Sequence, residues 1–251
     1  MAVSKKKRNL GRLLAILLIL ALIAGVAVYL GTFYHASSDA METIANPPAG
    51  VTVEAENGRI AFVPEHAKAG LIFYPGGKVQ YEAYAPLMAA CAERGILCVL
   101  VHMPCNLAVF APNTADGIAE QYPEINRWYI GGHSLGGAFA ARYAAKHADA
   151  LEGLILLAAY ATDDLKDSGL AVLSVVGTED DVLNAGKYDT CRTNLPADAE
   201  ECVIEGGNHA QFGSYGAQSG DGAATIAPEE QWAQTVSAIA ARVAAAKDKE
   251  D

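Results

Sequence analysis

Short apolar runs that do not alternate with polar residues, separated by stretches of helical sequence, constrain this chain more than any other feature. Leu71-Ile72-Phe73-Tyr74, residues 96–102, Trp128-Tyr129-Ile130, 154–157 and 172–176 are all of this kind, and 202–205 supplies a last short run. A strand that is apolar on both sides needs cover on both faces, which a parallel sheet between helical layers provides. Helical sequence fills the gaps at 83–94, 113–122 and 138–147, follows 154–157 and 172–176 as well, and closes the chain at 229–245. Gly95 reads as the C-cap of the first of these helices. Ahead of them, 51–56 and 59–64 flank Asn57-Gly58, a dipeptide that favours a type I′ turn, so a β-hairpin is expected to open the domain. The expected class is α/β, and chemistry in such sheets collects at the carboxyl ends of the strands.

The first residues follow different rules. Residues 13–30 are uncharged, and with 31–34 included the run makes about 27 to 33 Å of helix, enough to cross a bilayer. Lys5, Lys6, Lys7, Arg8 and Arg12 precede it. By the positive-inside rule the N-terminus is then cytoplasmic and the folded domain extracytoplasmic, with Tyr29, Phe33 and Tyr34 as interfacial anchors. The division expected is a basic segment 1–12, a signal-anchor 13–34, a polar stalk 35–50 and a folded domain 51–251. A cleaved signal peptide is the rival, since 36–40 offers small residues, but its apolar core is normally shorter.

The whole chain carries 18 Lys plus Arg against 29 Asp plus Glu, a net charge of −11, and five of the basic residues lie in the leader. That balance excludes sequence-independent nucleic-acid binding, which needs a clustered basic surface. Five cysteines, Cys91, Cys98, Cys105, Cys191 and Cys202, cannot all pair; Cys191 with Cys202 is the best disulfide candidate, and five reduced thiols the alternative. Neither they nor the six scattered histidines have metal-site spacing, so no metal or cofactor is implied.

Directly after 128–130 stands Gly132-His133-Ser134-Leu135-Gly136. A G-x-S-x-G segment between strand and helix fits a nucleophile elbow, in which small neighbours let a strained turn hold a serine hydroxyl at a helix N-terminus. A serine nucleophile needs an imidazole base, and that imidazole needs a carboxylate to fix its tautomer. Glu179-Asp180-Asp181 follows 172–176, and His209 follows 202–205, giving nucleophile, acid and base in that order. Asp180 is the first choice for the acid, then Asp181, then Glu179. His102 and His133 are read as supporting residues. The oxyanion formed at the attacked carbonyl needs backbone donors, expected from Leu135 and from Gly77, with Lys78 a lesser alternative. Lys78 could also attract an anionic substrate.

These residues resemble the α/β-hydrolase superfamily over 51–247. Tyr74-Pro75-Gly76-Gly77-Lys78, residues 102–110, 131–137 and 206–216 more narrowly resemble a bacterial subgroup of short, membrane-anchored hydrolases of the dienelactone-hydrolase-like branch. The resemblance implies a mostly parallel eight-stranded sheet with helices on both faces, a triad of Ser134, Asp180 and His209, and an oxyanion hole at the Gly77 and Leu135 amides. Dienelactone hydrolases carry Cys where this chain has Ser134, so their substrate does not transfer.

Residues 158–169 are too few for the helical lid that many relatives insert. An open, shallow cleft walled by 106–110, Tyr160 and 210–215 is expected, with Asn106, Gln211 and Tyr215 in reach of small or exposed acyl groups. A serine hydrolase of carboxylic esters is the function expected. An amidase, peptidase or acyltransferase acting on cell-envelope material would use the same triad, and a non-catalytic, membrane-tethered binding module would keep the fold without the chemistry.

Overall fold

The computed structural model describes residues 2–245, with side chains from Asn9 onward. The side chains of Lys5, Lys6, Lys7 and Arg8, and residues 246–251 at the end of the expected domain, lie outside the described residues. The chain divides into two units, one up to Phe33 and one from Tyr34.

The first unit is one helix, α1 (Ala2–Gly31). Its span Asn9–Gly31 is 23 residues long and apolar enough to cross a membrane. Leu18 and Leu22 are 72% and 68% exposed; side chains that apolar and that open suit lipid contact better than water. The helix stops at Gly31, short of the expected residue 34.

Within the second unit, residues 35–50 are not a free stalk. Ser37 caps α2 (Ser38–Ala45), its Oγ accepting the Ala40 N–H at 3.1 Å, and Ala40 is fully buried. Tyr34 forms a parallel bridge with Val79, donating its N–H to the Lys78 carbonyl (2.7 Å) and accepting the Gln80 N–H (2.9 Å). The Tyr34 ring, expected at a membrane interface, packs instead against Tyr215, with centroids 5.5 Å apart.

An eight-stranded sheet follows: β1 (Val51–Glu56), β2 (Arg59–Pro64), β3 (Ala69–Tyr74), β4 (Ile96–Val101), β5 (Trp128–His133), β6 (Gly153–Leu157), β7 (Ala171–Gly177) and β8 (Glu200–Ile204). The spatial order is β1-β2-β4-β3-β5-β6-β7-β8; β2 runs antiparallel to β1 and β4, and all other neighbours pair in parallel. Asn57 and Gly58, at φ 50° and 74°, make the expected hairpin turn. The order reverses between β3 and β5, so the loops leaving these two strands diverge and a crevice opens between them.

Among the described residues four more α-helices follow: α3 (Ala85–Ala92), α4 (Leu135–Ala144), α5 (Ala185–Arg192) and α6 (Pro228–Ala245). Successive side chains of a strand point to opposite faces. Leu71 and Phe73 of β3 accordingly join the core beneath α3 and α6, while Ile72 and Tyr74 join the core beneath α4.

Two expected helices do not form. Residues 113–122 contain turns and a single 3-10 turn, Ala119–Gln121. Gly117 sits at φ 72°, which breaks helical continuity. The Tyr74 hydroxyl meanwhile accepts the Ala115 N–H and donates to the Pro112 carbonyl, each at 3.0 Å, drawing that backbone out of a helical ladder. Residues 158–170 also lack a helix, so β6 passes to β7 through an irregular connection.

Leu71 is 1% exposed at the centre of one core. Leu71→Ala is expected to lower stability by about 2 to 5 kcal/mol, read by urea denaturation of the full chain in detergent micelles.

Candidate active site

The site begins where β5 meets α4. The parallel register sets Tyr74 beside Gly132, so the exits of β3 and β5 lie side by side. A Cβ on Gly132 would fall 2.6 Å from the Tyr74 carbonyl oxygen, and one on Gly136 would fall against the Tyr74 and Pro75 carbonyls. Only glycine lets these backbones meet. Between the two glycines Ser134 is forced to φ 52°, ψ −121°, a region that costs an L-residue about 1 to 3 kcal/mol and recurs at functional sites. Its N–H is fixed by the Leu157 carbonyl at 2.9 Å, and its own carbonyl starts α4 by accepting the Ala138 N–H at 3.1 Å.

Asp180 and His209 meet at the ends of β7 and β8. His209 Nδ1 lies 2.8 Å from Asp180 Oδ2, and both side chains are 2% exposed. Asp180 Oδ1 accepts the N–H groups of Val182 (2.9 Å) and Leu183 (2.8 Å). With its acceptors so occupied, the carboxylate is the natural recipient of an Nδ1–H, which leaves the His209 Nε2 lone pair available. That Nε2 is buried without a hydrogen-bond partner. Asp181 is exposed, and the Glu179 carboxylate takes the Thr178 hydroxyl at 3.2 Å, so neither makes this contact.

Ser134 and His209 line one cleft of about 240 Å³, together with Leu135, Ala138, Ala158, Ala159, Tyr160, Val182, Leu183 and Asn184. Of the walls expected from sequence only Tyr160 is present; residues 106–110 and 210–215 lie outside it. Gly77 is close by, since a Cβ there would lie 2.9 Å from Leu135 Cδ2. Lys78, half-buried at φ 61°, donates its N–H to the Asn106 carbonyl at 2.7 Å. Gln211 faces away, its Nε2 donating to the Ile226 carbonyl at 3.2 Å. Tyr215 is 8% exposed, with its hydroxyl donating to Gln218 Oε1 at 3.1 Å; burial raises its pKa. Lys78, Asn106, Gln211 and Tyr215, the expected substrate contacts, do not border the cleft.

Three residues that the sequence reading passed over frame His209. Asp221 accepts the main-chain N–H groups of His209 (3.3 Å), Ala210 (2.8 Å) and Gly222 (2.9 Å). Gln231 of α6 is fully buried and grips Asn208 twice, accepting its N–H at 3.0 Å and donating to its carbonyl at 2.8 Å. Asn208 in turn accepts the Gln211 N–H on Oδ1 at 3.0 Å. A Gly following Asp221 marks a turn in the sequence, but nothing there says which amides its carboxylate meets.

His133 is 1% exposed beside the His209 ring, and burial drives its pKa well below the ordinary imidazole value, with proximity to His209 acting in the same direction. His102 is exposed and packs edge-on to Tyr81. All five cysteine thiols are free, Cys191 and Cys202 included. Among the described residues no group of three His, Cys, Asp or Glu side chains is placed to hold a metal.

The imidazole of the acid–imidazole pair at the ends of β7 and β8 and the serine on a glycine-bounded elbow at the end of β5 thus border one cleft. The chain belongs to the Alpha/beta hydrolase family, whose sequence model matches residues 70–233. No curated protein matched the sequence. Among solved structures, a Klebsiella pneumoniae protein provisionally designated a dienelactone hydrolase is similar in fold, with 18% identity, TM-score 0.55 and coverage of 78% of this chain and 98% of that one. Est1E from Butyrivibrio proteoclasticus is similar with 14% identity, TM-score 0.54 and coverage of 78% and 100%. Carboxyl esterase 2 from Tuber melanosporum is similar with 12% identity, TM-score 0.54 and coverage of 82% and 91%.

Asp221→Ala removes a charged acceptor from three amides at once. It is expected to lower stability by about 1 to 3 kcal/mol, with Asp221→Asn intermediate, as measured by denaturant midpoints of the full chain.

Proposed function

We propose that this protein is a serine hydrolase of carboxylic esters acting through an acyl-enzyme. The observation that carries the reading is the buried Asp180–His209 pair, whose partnerless Nε2 shares a cleft with Ser134. The Ser134 hydroxyl attacks the ester carbonyl carbon while His209 Nε2 takes its proton. Asp180 holds Nδ1–H and stabilises the imidazolium that forms. The Gly77 and Leu135 amides receive the charge on the carbonyl oxygen. The C–O bond to the leaving alkoxide breaks as His209 returns the proton to it, and water, deprotonated by the same imidazole, then releases the acid and restores Ser134.

The lining of the cleft supports the substrate class. Leu135, Ala138, Ala158, Ala159, Val182 and Leu183 make it apolar, and it has no Lys, Arg, Asp or Glu, which suits small neutral acyl or alcohol groups. Two of the solved relatives in fold are named as esterases or carry that abbreviation. The N-terminal helix serves in this reading as a single-pass anchor, with the N-terminus cytoplasmic and the catalytic domain on the far side of the membrane.

In the full chain, short p-nitrophenyl esters are expected to be cleaved and a fluorophosphonate to label Ser134. Ser134→Ala should lose labelling and at least about 10⁴-fold in kcat, and Asp180→Asn about 10⁴-fold, whereas Asp181→Asn should stay within about two-fold. Folded protein that neither labels nor turns over would overturn the esterase reading, and turnover of amides in preference to esters would redirect it. Labelling of intact cells by an impermeant probe, with no gain on permeabilisation, is expected for the extracytoplasmic orientation; labelling only after permeabilisation would reverse it.

A further inference from the structure

Behind the catalytic imidazole lies a second one that the reaction above does not use. His133 ends β5, and its Nδ1 lies 2.8 Å from the Tyr84 hydroxyl. Tyr84, in the 3-10 turn Tyr81–Tyr84 ahead of α3, is fully buried, and its hydroxyl oxygen accepts the Gly76 N–H at 3.0 Å. Gly76 immediately precedes Gly77. The His133 ring stands 4.5 Å from the His209 ring, centroid to centroid. A run of contacts thus leads from the oxyanion loop to the base through two buried side chains.

The protons can be placed by satisfying buried groups. Gly76 can only donate, so the Tyr84 oxygen is its acceptor and the phenolic hydrogen remains to be given away. The acceptor 2.8 Å distant is His133 Nδ1. Either assignment leaves His133 Nε2 buried without a hydrogen-bond partner; the opposite one, with Nδ1–H donating to the phenol, would in addition leave the phenolic hydrogen buried and unpaired, at a cost of about 1 to 3 kcal/mol. His133 is then neutral, with its proton on Nε2. The space for this arrangement is closed: a Cβ on Gly76 would fall 2.7 Å from the Tyr84 hydroxyl and 2.8 Å from His133 Nδ1. Tyr84, His209 and the apolar Phe212 face the ring, with Asp180 beyond His209.

We propose that Tyr84 and His133 are positioning residues, a neutral hydrogen-bonded brace that sets the oxyanion loop and the catalytic base in register with each other. The brace rests on the esterase reading, and it adds a requirement that the triad alone does not contain. A cationic side chain in the same place would oppose imidazolium formation at His209; a neutral imidazole fills the space, fixes Tyr84 and leaves that step unopposed. Because Gly76 and His209 lie on loops leaving strands on opposite sides of β5, losing the brace lets the donor and the base drift relative to Ser134. Displacements near 1 Å at such sites cost about 10²-fold in rate.

The test uses the full chain in micelles and four variants. Tyr84→Phe keeps the ring and removes only the hydroxyl; it is expected to lower kcat by about 10- to 100-fold on a short p-nitrophenyl ester with little change in KM. His133→Asn places a carboxamide oxygen near the Nδ1 position and should retain much of kcat, whereas His133→Leu should fall as Tyr84→Phe does. The double variant Tyr84→Phe/His133→Leu should be no slower than the slower single, as expected for one continuous chain of contacts. Wild-type kcat in folded Tyr84→Phe, equal kcat in His133→Asn and His133→Leu, or additive losses in the double variant would each overturn the brace. Should Tyr84→Phe fail to fold, the comparison of the two His133 variants decides. An arm independent of turnover is ¹⁵N NMR of the histidine rings. His133 is expected to stay protonated on Nε2 and bare on Nδ1 between about pH 5 and pH 8, and a protonated Nδ1 in that range would overturn the proposal. Wild-type protein silent on esters and unlabelled would sink the esterase reading, while the NMR result would still decide the brace.

Discussion

Everything in the site depends on how closely two strand exits approach. β3 and β5 are paired so that Tyr74 lies beside Gly132, and the chain then turns through Gly132 and Gly136 against the Tyr74 and Pro75 carbonyls. That contact does two things at once. It forces Ser134 into the strained turn at φ 52°, and it brings the loop bearing Gly76 and Gly77 against the start of α4, where the elbow delivers the Leu135 amide. The proposed nucleophile and oxyanion donors would require mutual placement within a fraction of an ångström, and parallel strand pairing is the main-chain device that brings Ser134, Gly77 and Leu135 together. Side chains then need only to finish the geometry.

His209 is held differently, by a division of work between two carboxylates. Asp180 addresses the imidazole itself, while Asp221 gathers the amides of the residues that carry it. Gln231 reaches from α6 to fix Asn208, one residue before the base. Since α6 also packs into the core shared with α3, the position of His209 is tied to helix packing on one face of the sheet. The position of Ser134 is tied to α4 on the other. Core packing on both sides is therefore felt at the cleft.

Most of the architecture was legible because it rests on patterns with a single physical reading. Continuous apolar runs require cover on both faces, Asn57-Gly58 requires a left-handed turn, and glycines around Ser134 require close backbone approach. The elbow was legible for the same reason, whereas three adjacent acids offered no pattern that separates them, and it is the contact with His209 that singles out Asp180. The helix expected at 113–122 failed because its apolar spacing says nothing about Gly117 or about a tyrosine hydroxyl from β3 taking up its backbone groups. The cleft walls were misplaced because loop direction is set by tertiary contact: residues 182–184 fold over the cleft through the Asp180 carboxylate, whereas Gln211 is turned away by its hydrogen bond to Ile226. Asp221 and Tyr84 were invisible because their partners are main-chain groups and a distant imidazole, and neither leaves a mark in local sequence.

Tyr34 carries a consequence for how the molecule can be processed. Its main chain is bridged to residues 78 and 80, its hydroxyl accepts the Ser219 N–H at 3.1 Å, and its ring covers Tyr215. Ser37 is joined to Ser214 through both main chain (2.8 Å) and side chain (2.7 Å). A peptidase cutting among the small residues 36–40 would thus carry off part of the second unit along with the N-terminal helix, baring an aromatic face next to the loop that bears His209. Removal of the N-terminal helix and preservation of an intact fold around His209 are competing outcomes unless the cut falls before Tyr34.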